Sequence, residues 1–412
     1  MTVDGSQQRA AEPEPPSEAI PATAWRMLAL GVAAQVSGTV LISSPPYLIP
    51  LLHLRRGLTL STAGVLAAAP MVGVVCTLVL WGALADRHGE RWVMAGGLGL
   101  AALFGLVAVI VHGYVPLGLA LFLAGAGAAS TNAASGRVVA GWFPRSRRGL
   151  AMGIRQIGQP LGVAIAALTV PTLAGSVGIG AALAVGTGLS GLLALATALW
   201  VVNPPRPVRL AGATEAPARP QNPYRGERFL PRIHLLSLLL VIPQFTLSIF
   251  GFVWLVAALH WTAAAAGAVV AAAQLIGAGG RILVGQLSDR VGSRVRLLRW
   301  VALSGVLTMA AMAAAGACGN AVVGATILVI AATVSVADNG LAFTSVAEAA
   351  GQAWAGRALG IQNSGQFIVA AAVGPVIGLL IGAVGYPLAF LIVALAPLAA
   401  YPLVPRRDLH RQ

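Results

Sequence analysis

Lysine is absent from this chain: all 26 basic residues are arginine, and only 12 residues are acidic. Charged residues make up 9% of the whole, against roughly a quarter in water-soluble domains. That shortage excludes a soluble globular protein. The replacement of lysine by arginine, among many alanines, glycines and prolines, is a bias of composition and carries no function. Cysteine is scarce too. Cys76 and Cys318 stand in separate apolar stretches, so they read as small buried hydrophobes and make neither a disulfide nor a metal site. The six histidines form no ligand spacing with acids or cysteines, which argues against a metalloenzyme. No G-x-x-x-x-G-K loop is present to cradle a nucleotide, so ATP-driven pumping has no support. Period-two alternation is missing as well, which excludes an outer-membrane barrel.

What the chain has is long apolar runs, with 58% hydrophobic residues and a mean hydropathy of +0.84. A bilayer crossing takes roughly 20 mostly apolar residues. Spans are expected at 26–50, 60–84, 92–112, 115–141, 149–173 and 178–202, then at 233–258, 262–287, 296–317, 320–346, 356–382 and 386–404. The expected fold class is therefore an all-α membrane protein with twelve transmembrane helices. Residues 1–24 read as a disordered, acidic, proline-rich tail without the marks of a removable signal. A first six-helix bundle follows at 25–202, a basic linker at 203–232, a second bundle at 233–405 and a short tail at 406–412.

Arginine falls on alternate loops. Arg87 and Arg91, Arg145, Arg147 and Arg148, the linker, Arg290, Arg294, Arg296 and Arg299, and Arg406 and Arg407 share one side; only Arg55 and Arg56 take the other. Basic loops stay cytoplasmic, so both termini are expected there. The same pattern explains the net charge of +14 without nucleic acid as a partner.

The two halves repeat. Gly82-Ala-Leu-Ala-Asp86-Arg87-His-Gly89-Glu-Arg91 follows the second span, and Gly285-Gln-Leu-Ser-Asp289-Arg290-Val-Gly292-Ser-Arg294 follows the eighth. Gly153-Ile-Arg155-Gln156-Ile-Gly158-Gln159 in span five likewise matches Gly360-Ile-Gln362-Asn363-Ser-Gly365-Gln366 in span eleven. Two six-helix units of the same orientation form a parallel repeat, an arrangement that puts a substrate site near the midplane between them. Gly82 and Gly285 are expected to allow close helix approach, and Gly89 and Gly292 a tight turn.

This duplicated G-x-x-x-D-R-x-G-x-R loop, with twelve spans and a basic central linker, resembles the major facilitator superfamily over nearly the whole chain. Glu90 and Ser293 stand where that family usually has a basic residue. The resemblance implies a gating role for Gly82, Asp86, Arg87 and Arg91, for Gly285, Asp289, Arg290 and Arg294, and for Arg137. Gly280-Arg281 with Ser288-Asp289-Arg290 is similar to span eight of organic- and inorganic-anion members. Arg137-Val-Val-Ala-Gly-Trp142-Phe143-Pro144 is similar to the end of span four in anion–cation symporters.

Ionisable groups at membrane depth are costly and mark functional sites. Outside the loops and tails the acids are Asp338, deep in span ten, and Glu348, near its end and read as solvated. Arg281 lies roughly 12 Å deeper than Asp289 by helical rise, and Arg155 lies about 9 Å in from Gly149. Deep arginines outnumber deep carboxylates, and a guanidinium fork matches a carboxylate or phosphate. The expected substrate-binding residues are Arg281, Arg155, Gln159, Gln362, Asn363, Gln366, Asn132, Asn339, Gln244 and Tyr47, with Asp338 as the coupling group. Other readings stand beside these: Arg281 could pair with Asp338, Arg155 with Asp86, and Arg137 could snorkel to water. Phe245 and Trp254 read as packing residues.

The function expected is secondary active transport of a small organic anion by alternating access in a bacterial cytoplasmic membrane, with a proton as coupling ion. The alternative is proton-coupled multidrug efflux on the same fold. No enzyme activity, cofactor or metal is expected. The partners are the solute, the coupling ion and the lipid bilayer, with the protein a monomer.

Overall fold

The computed structural model describes residues 20–144, 147–203, 222–225, 228–351 and 354–408. The side chains of Asp86, Arg148 and Asp289 lie outside the described residues, as do the first 19 residues and most of the linker. No strand occurs among those described. The first half runs α1 (Ala22–Ser43), α2 (Leu60–His88), α3 (Glu90–Ile110), α4 (Tyr114–Trp142), α5 (Arg148–Gln156), α6 (Gly158–Ser176) and α7 (Ile179–Trp200). The second runs α8 (Phe229–Ala257), α9 (Ala263–Val291), α10 (Arg294–Cys318), α11 (Ala321–Ser335), α12 (Asp338–Ala350), α13 (Ala355–Val393) and α14 (Leu395–Ala400).

Among the described residues, eleven runs are long and apolar enough to cross a bilayer, and the last, Ala355–Leu403, has 49 residues. That length makes about 74 Å of helix, against a hydrocarbon core of about 30 Å, so the run must double back. It does so at Gly385, whose φ of 76° and ψ of 169° share the positive-φ, extended-ψ region of Gly89, Gly113 and Gly178. Each of those three joins two consecutive helices, in a conformation open only to glycine. With this reversal the described residues make twelve crossings.

Four of the described spans are irregular and proline accounts for three, the last span breaking at Ala394, where Pro397 has no N–H for the Val393 carbonyl. Pro45 and Pro46 offer no N–H to the turn before them, so α1 gives way to a 3-10 turn at Pro45–Leu48 and a π turn at Leu51–Arg55. The first crossing thereby extends to Arg55, past its expected end. Pro160 cannot donate to the carbonyl of Gln156, and the fifth span breaks there into α5 and α6. The tenth breaks between Ser335 and Asp338, which places Asp338 at the head of a new helix. In turn, α8 starts at Phe229, inside the stretch expected to be linker.

Close packing happens elsewhere than at Gly82 and Gly285. A Cβ on Gly82 or Gly285 would meet nothing within 4 Å, so neither mediates the helix approach expected of it. Gly89 and Gly292 do turn the chain, with φ of 83° and 66°. Tight approaches occur within the first half, as where a Cβ on Gly73 would fall 2.0 Å from the Phe122 carbonyl oxygen, and they also join the two halves: a Cβ on Gly64 would fall 2.3 Å from the Gly374 carbonyl oxygen, and one on Gly267 2.1 Å from that of Ala167. These last contacts pair α2 with α13 and α6 with α9 toward the end away from the arginine-rich loops. Tyr47 adds an edge-on ring contact to Phe252, at 5.1 Å between centroids. The halves are joined at that end and spread toward the other. Cys76 and Cys318, expected to be buried, are exposed, the latter as the last residue of α10.

Candidate functional site

Between the halves lie two adjoining chambers, of about 110 Å³ and about 540 Å³. Arg281, Gln159, Gln244, Phe245 and Phe367 line both, forming a shared waist. The smaller chamber reaches toward the closed end, past Gln35, Asn132 and Tyr47. The larger follows the two broken spans toward the arginine-rich end, past Gln156, Asn339, Asn363 and Gln366.

Both span breaks contribute to this wall. The end of α5 presents Gln156 and Ile157, and the head of α12 presents Asn339 and Gly340. A helix interrupted at membrane depth is tolerated where it lines a cavity rather than lipid.

One charged side chain lines the chambers among the described residues, and it is Arg281. It makes no hydrogen bond there, and its Nε is buried without a partner. Among the described residues, Asp338 supplies opposite charge, and the two interact electrostatically without forming an ion pair. The Asp338 carboxylate is wholly buried, and neither oxygen accepts a well-formed hydrogen bond. Nearest it are the N–H groups of Asp338 itself and Asn339, at the first turn of α12. Asp338 does not line the large chambers. It borders a void of about 10 Å³ among Pro243, Thr308 and Ser335.

The amide side chains form a repeated device. In the first half, Gln35 Nε2 donates to Asn132 Oδ1 at 3.0 Å, bridging α1 and α4. In the second, Asn339 Nδ2 donates to Gln244 Oε1 at 3.1 Å, bridging α12 and α8. Gln366 Nε2 extends the second bridge to Ser237 Oγ at 2.7 Å and Asn339 Oδ1 at 3.3 Å. Gln159 makes no hydrogen bond among the described residues, and Gln244 uses only its oxygen, so both present free amide groups to the waist.

Other expected residues sit apart from the chambers. Arg155 is held by α4, donating from Nε to Ser135 Oγ at 2.8 Å and from Nη2 to the Asn132 carbonyl at 3.3 Å. Gln362 is buried against His234, whose Nδ1 meets its Oε1, and His234 Nε2 in turn meets the Tyr224 hydroxyl at 3.0 Å. Trp254 packs edge-on against Phe390 at 5.5 Å and is buried, whereas Phe245, expected to pack, is on the chamber wall.

The loop residues split by role. Arg91 clasps the Ala198 carbonyl at the end of α7, with Nε at 2.9 Å. Arg294 forms a two-pronged ion pair with Glu348, with Nε at 2.9 Å, so Glu348 is partnered rather than solvated. Asp408 caps the same turn, accepting from the N–H groups of Arg294 and Val295. Arg87 and Arg290 are exposed, and Arg137 is half-buried near the end of α4. The Asp86 and Asp289 carboxylates expected to latch this end lie outside the described residues.

Gln274 and Phe367 line the site without having been expected there. Helical period would have found both: Gln274 stands seven residues before Arg281, and Phe367 continues the face of Asn363 and Gln366.

A family model described as the Major Facilitator Superfamily matches residues 27–375. An uncharacterized MFS-type transporter of Mycobacterium tuberculosis (strain ATCC 25618 / H37Rv) is 43% identical over 383 residues, spanning 93% of this chain and 85% of the relative. A probable 4-methylmuconolactone transporter of Cupriavidus pinatubonensis is 27% identical over 274 residues, 65% of this chain and 63% of the relative. Among solved structures, a bacterial homolog to the human lysosomal transporter Spinster, in an inward-facing and occupied conformation, superposes with a TM-score of 0.77. It is 14% identical, with coverage of 92% of this chain and 95% of that one, a likeness of fold.

Proposed function

This chain belongs to the Major Facilitator Superfamily of multi-pass membrane transporters and is not an enzyme; we propose that its solute is a small organic anion held by Arg281. The observation that carries this reading is a chamber wall with one charge among the described residues, a guanidinium that no described side chain hydrogen-bonds or ion-pairs. A cation at that depth is costly until it is paired. A carboxylate supplies the missing partner with charge-assisted hydrogen bonds of about 1.5–3 kcal/mol each. Export of cations would call for an acid on the same wall, and none of the described lining residues is acidic.

With the arginine-rich loops taken as cytoplasmic, the larger chamber opens inward and the contacts of Gly64 and Gly267 close the outer side. Transport then consists of the two six-helix halves rocking about Arg281, so that the outer contacts part as the inner ends meet. Asp338 serves as the coupling group. An anion at Arg281 cancels the positive charge that Asp338 faces, and a proton on Asp338 restores the balance, so anion and proton move together. The 4-methylmuconolactone named for a relative fits a small organic solute. The protein works as a monomer, with the site between its own halves.

The test is binding to the purified protein in detergent. A carboxylate at 100 times its dissociation constant stabilises by about 2.7 kcal/mol, a readable thermal shift. Arg281→Gln is expected to remove that shift while the unliganded protein keeps its melting temperature. A carboxylate shift that survives in Arg281→Gln would overturn the assignment.

A further inference from the structure

Building on the reading of Arg281 as the anion site, we infer that the solute is a monocarboxylate carrying one flat ring, with a hydrogen-bonding substituent away from the carboxylate. Three features of the waist converge on this class. The first is charge. Arg281 is the one charged lining residue among those described, so it balances one carboxylate. A second carboxylate would enter a low-dielectric wall with no cation to meet it, and an unpaired buried charge is heavily penalised.

The second feature is aromatic. Phe245 and Phe367 line both chambers beside Arg281, come from different helices, and are half-buried with surface turned to the cavity. Neither takes part in the ring contacts found elsewhere, such as Tyr47 with Phe252 or Trp254 with Phe390. A flat ring between them gains face or edge contacts that a flexible chain cannot match. The inner chamber, at about 110 Å³, is on the scale of a cavity that holds one benzene ring. A fused polycycle exceeds it.

The third feature is polar. Among the described residues Gln159 has both ends of its amide free, and Gln244 gives its oxygen to Asn339 and keeps its Nε2 donors unused. Both stand at the waist with Arg281. An unmet amide in a site is best answered by a hydroxyl or carbonyl on the solute. A bare hydrocarbon ring would strand it.

The experiment is a thermal-shift titration of the purified full-length protein with 4-hydroxybenzoate, benzoate, hexanoate, phthalate and benzamide. The expected order is 4-hydroxybenzoate ahead of benzoate, with hexanoate, phthalate and benzamide each at least tenfold weaker than benzoate. Phe367→Leu and, separately, Phe245→Leu each narrow the benzoate-to-hexanoate ratio, by about 2- to 12-fold. Two variants are used so that a folding defect in one leaves the other informative. If hexanoate and phthalate bind as tightly as benzoate and all three are lost in Arg281→Gln, the ring inference falls and the anion reading stands. If none of the carboxylates binds the wild-type protein, both fall.

Discussion

Substituting Gly64 by alanine tests the closed end of the cavity. The added methyl would sit 2.3 Å from the Gly374 carbonyl oxygen, where ordinary contact begins at 3.4 Å. The neighbouring atoms are backbone carbonyl and amide atoms, so no side chain can rotate aside, and α2 and α13 must separate by about 1 Å. Overpacking of this kind costs about 1–3 kcal/mol. The cost falls only on the state in which these helices touch. It therefore shifts the population away from that state by about 5- to 140-fold. Distances between spin labels on Arg56→Cys and Val384→Cys report it, in a background with Cys76→Ser and Cys318→Ser. Both labelled positions are exposed near that end. Gly64→Ala is expected to move the distribution to longer separations. Gly82→Ala, where a Cβ meets nothing within 4 Å, is expected to leave it unchanged. A folded Gly64→Ala protein with the wild-type distribution would refute the packing argument.

Two further outcomes follow from the ionisable groups. The Arg294–Glu348 pair has side chains 22% and 32% exposed, so a double-mutant cycle with Glu348→Gln and Arg294→Gln should give about 0.2–1 kcal/mol of coupling in thermal unfolding. That coupling should shrink at about 1 M salt, where the screening length falls to roughly 3 Å; a larger, salt-independent coupling would mean a buried network instead. Asp338→Asn should abolish solute-driven proton movement in proteoliposomes and spare solute exchange; proton movement that persists would remove Asp338 from the coupling step.

Much of the fold is readable along the chain because apolar runs long enough to cross a bilayer have few other uses, and because the second half restates the first. The break at Gln156 is readable too, since Pro160 withholds its hydrogen bond. The break before Asp338 has no proline to announce it. Glycine is ambiguous: a Cβ on Gly82 or Gly285 in the loop motif would meet nothing within 4 Å, while Gly64 and Gly374, in no motif, are part of the contact between halves. Depth along a helix identified Arg281 and Asp338, but not the direction in which each points. Arg281 lines the waist, and Asp338 turns to a separate void beside Thr308. Partner choice also escapes one-dimensional reading. Arg155 takes Ser135, and Gln362 takes His234, a residue marked by no motif.

The most direct measurement is uptake of a radiolabelled monocarboxylate, chosen from those that bind the wild-type protein, into proteoliposomes holding the wild-type, Arg281→Lys or Arg281→Gln protein. The account predicts uptake for the wild type, a weakened rate for lysine, which keeps the charge but loses the fork, and none above empty vesicles for glutamine. Uptake by Arg281→Gln at the wild-type rate would contradict it.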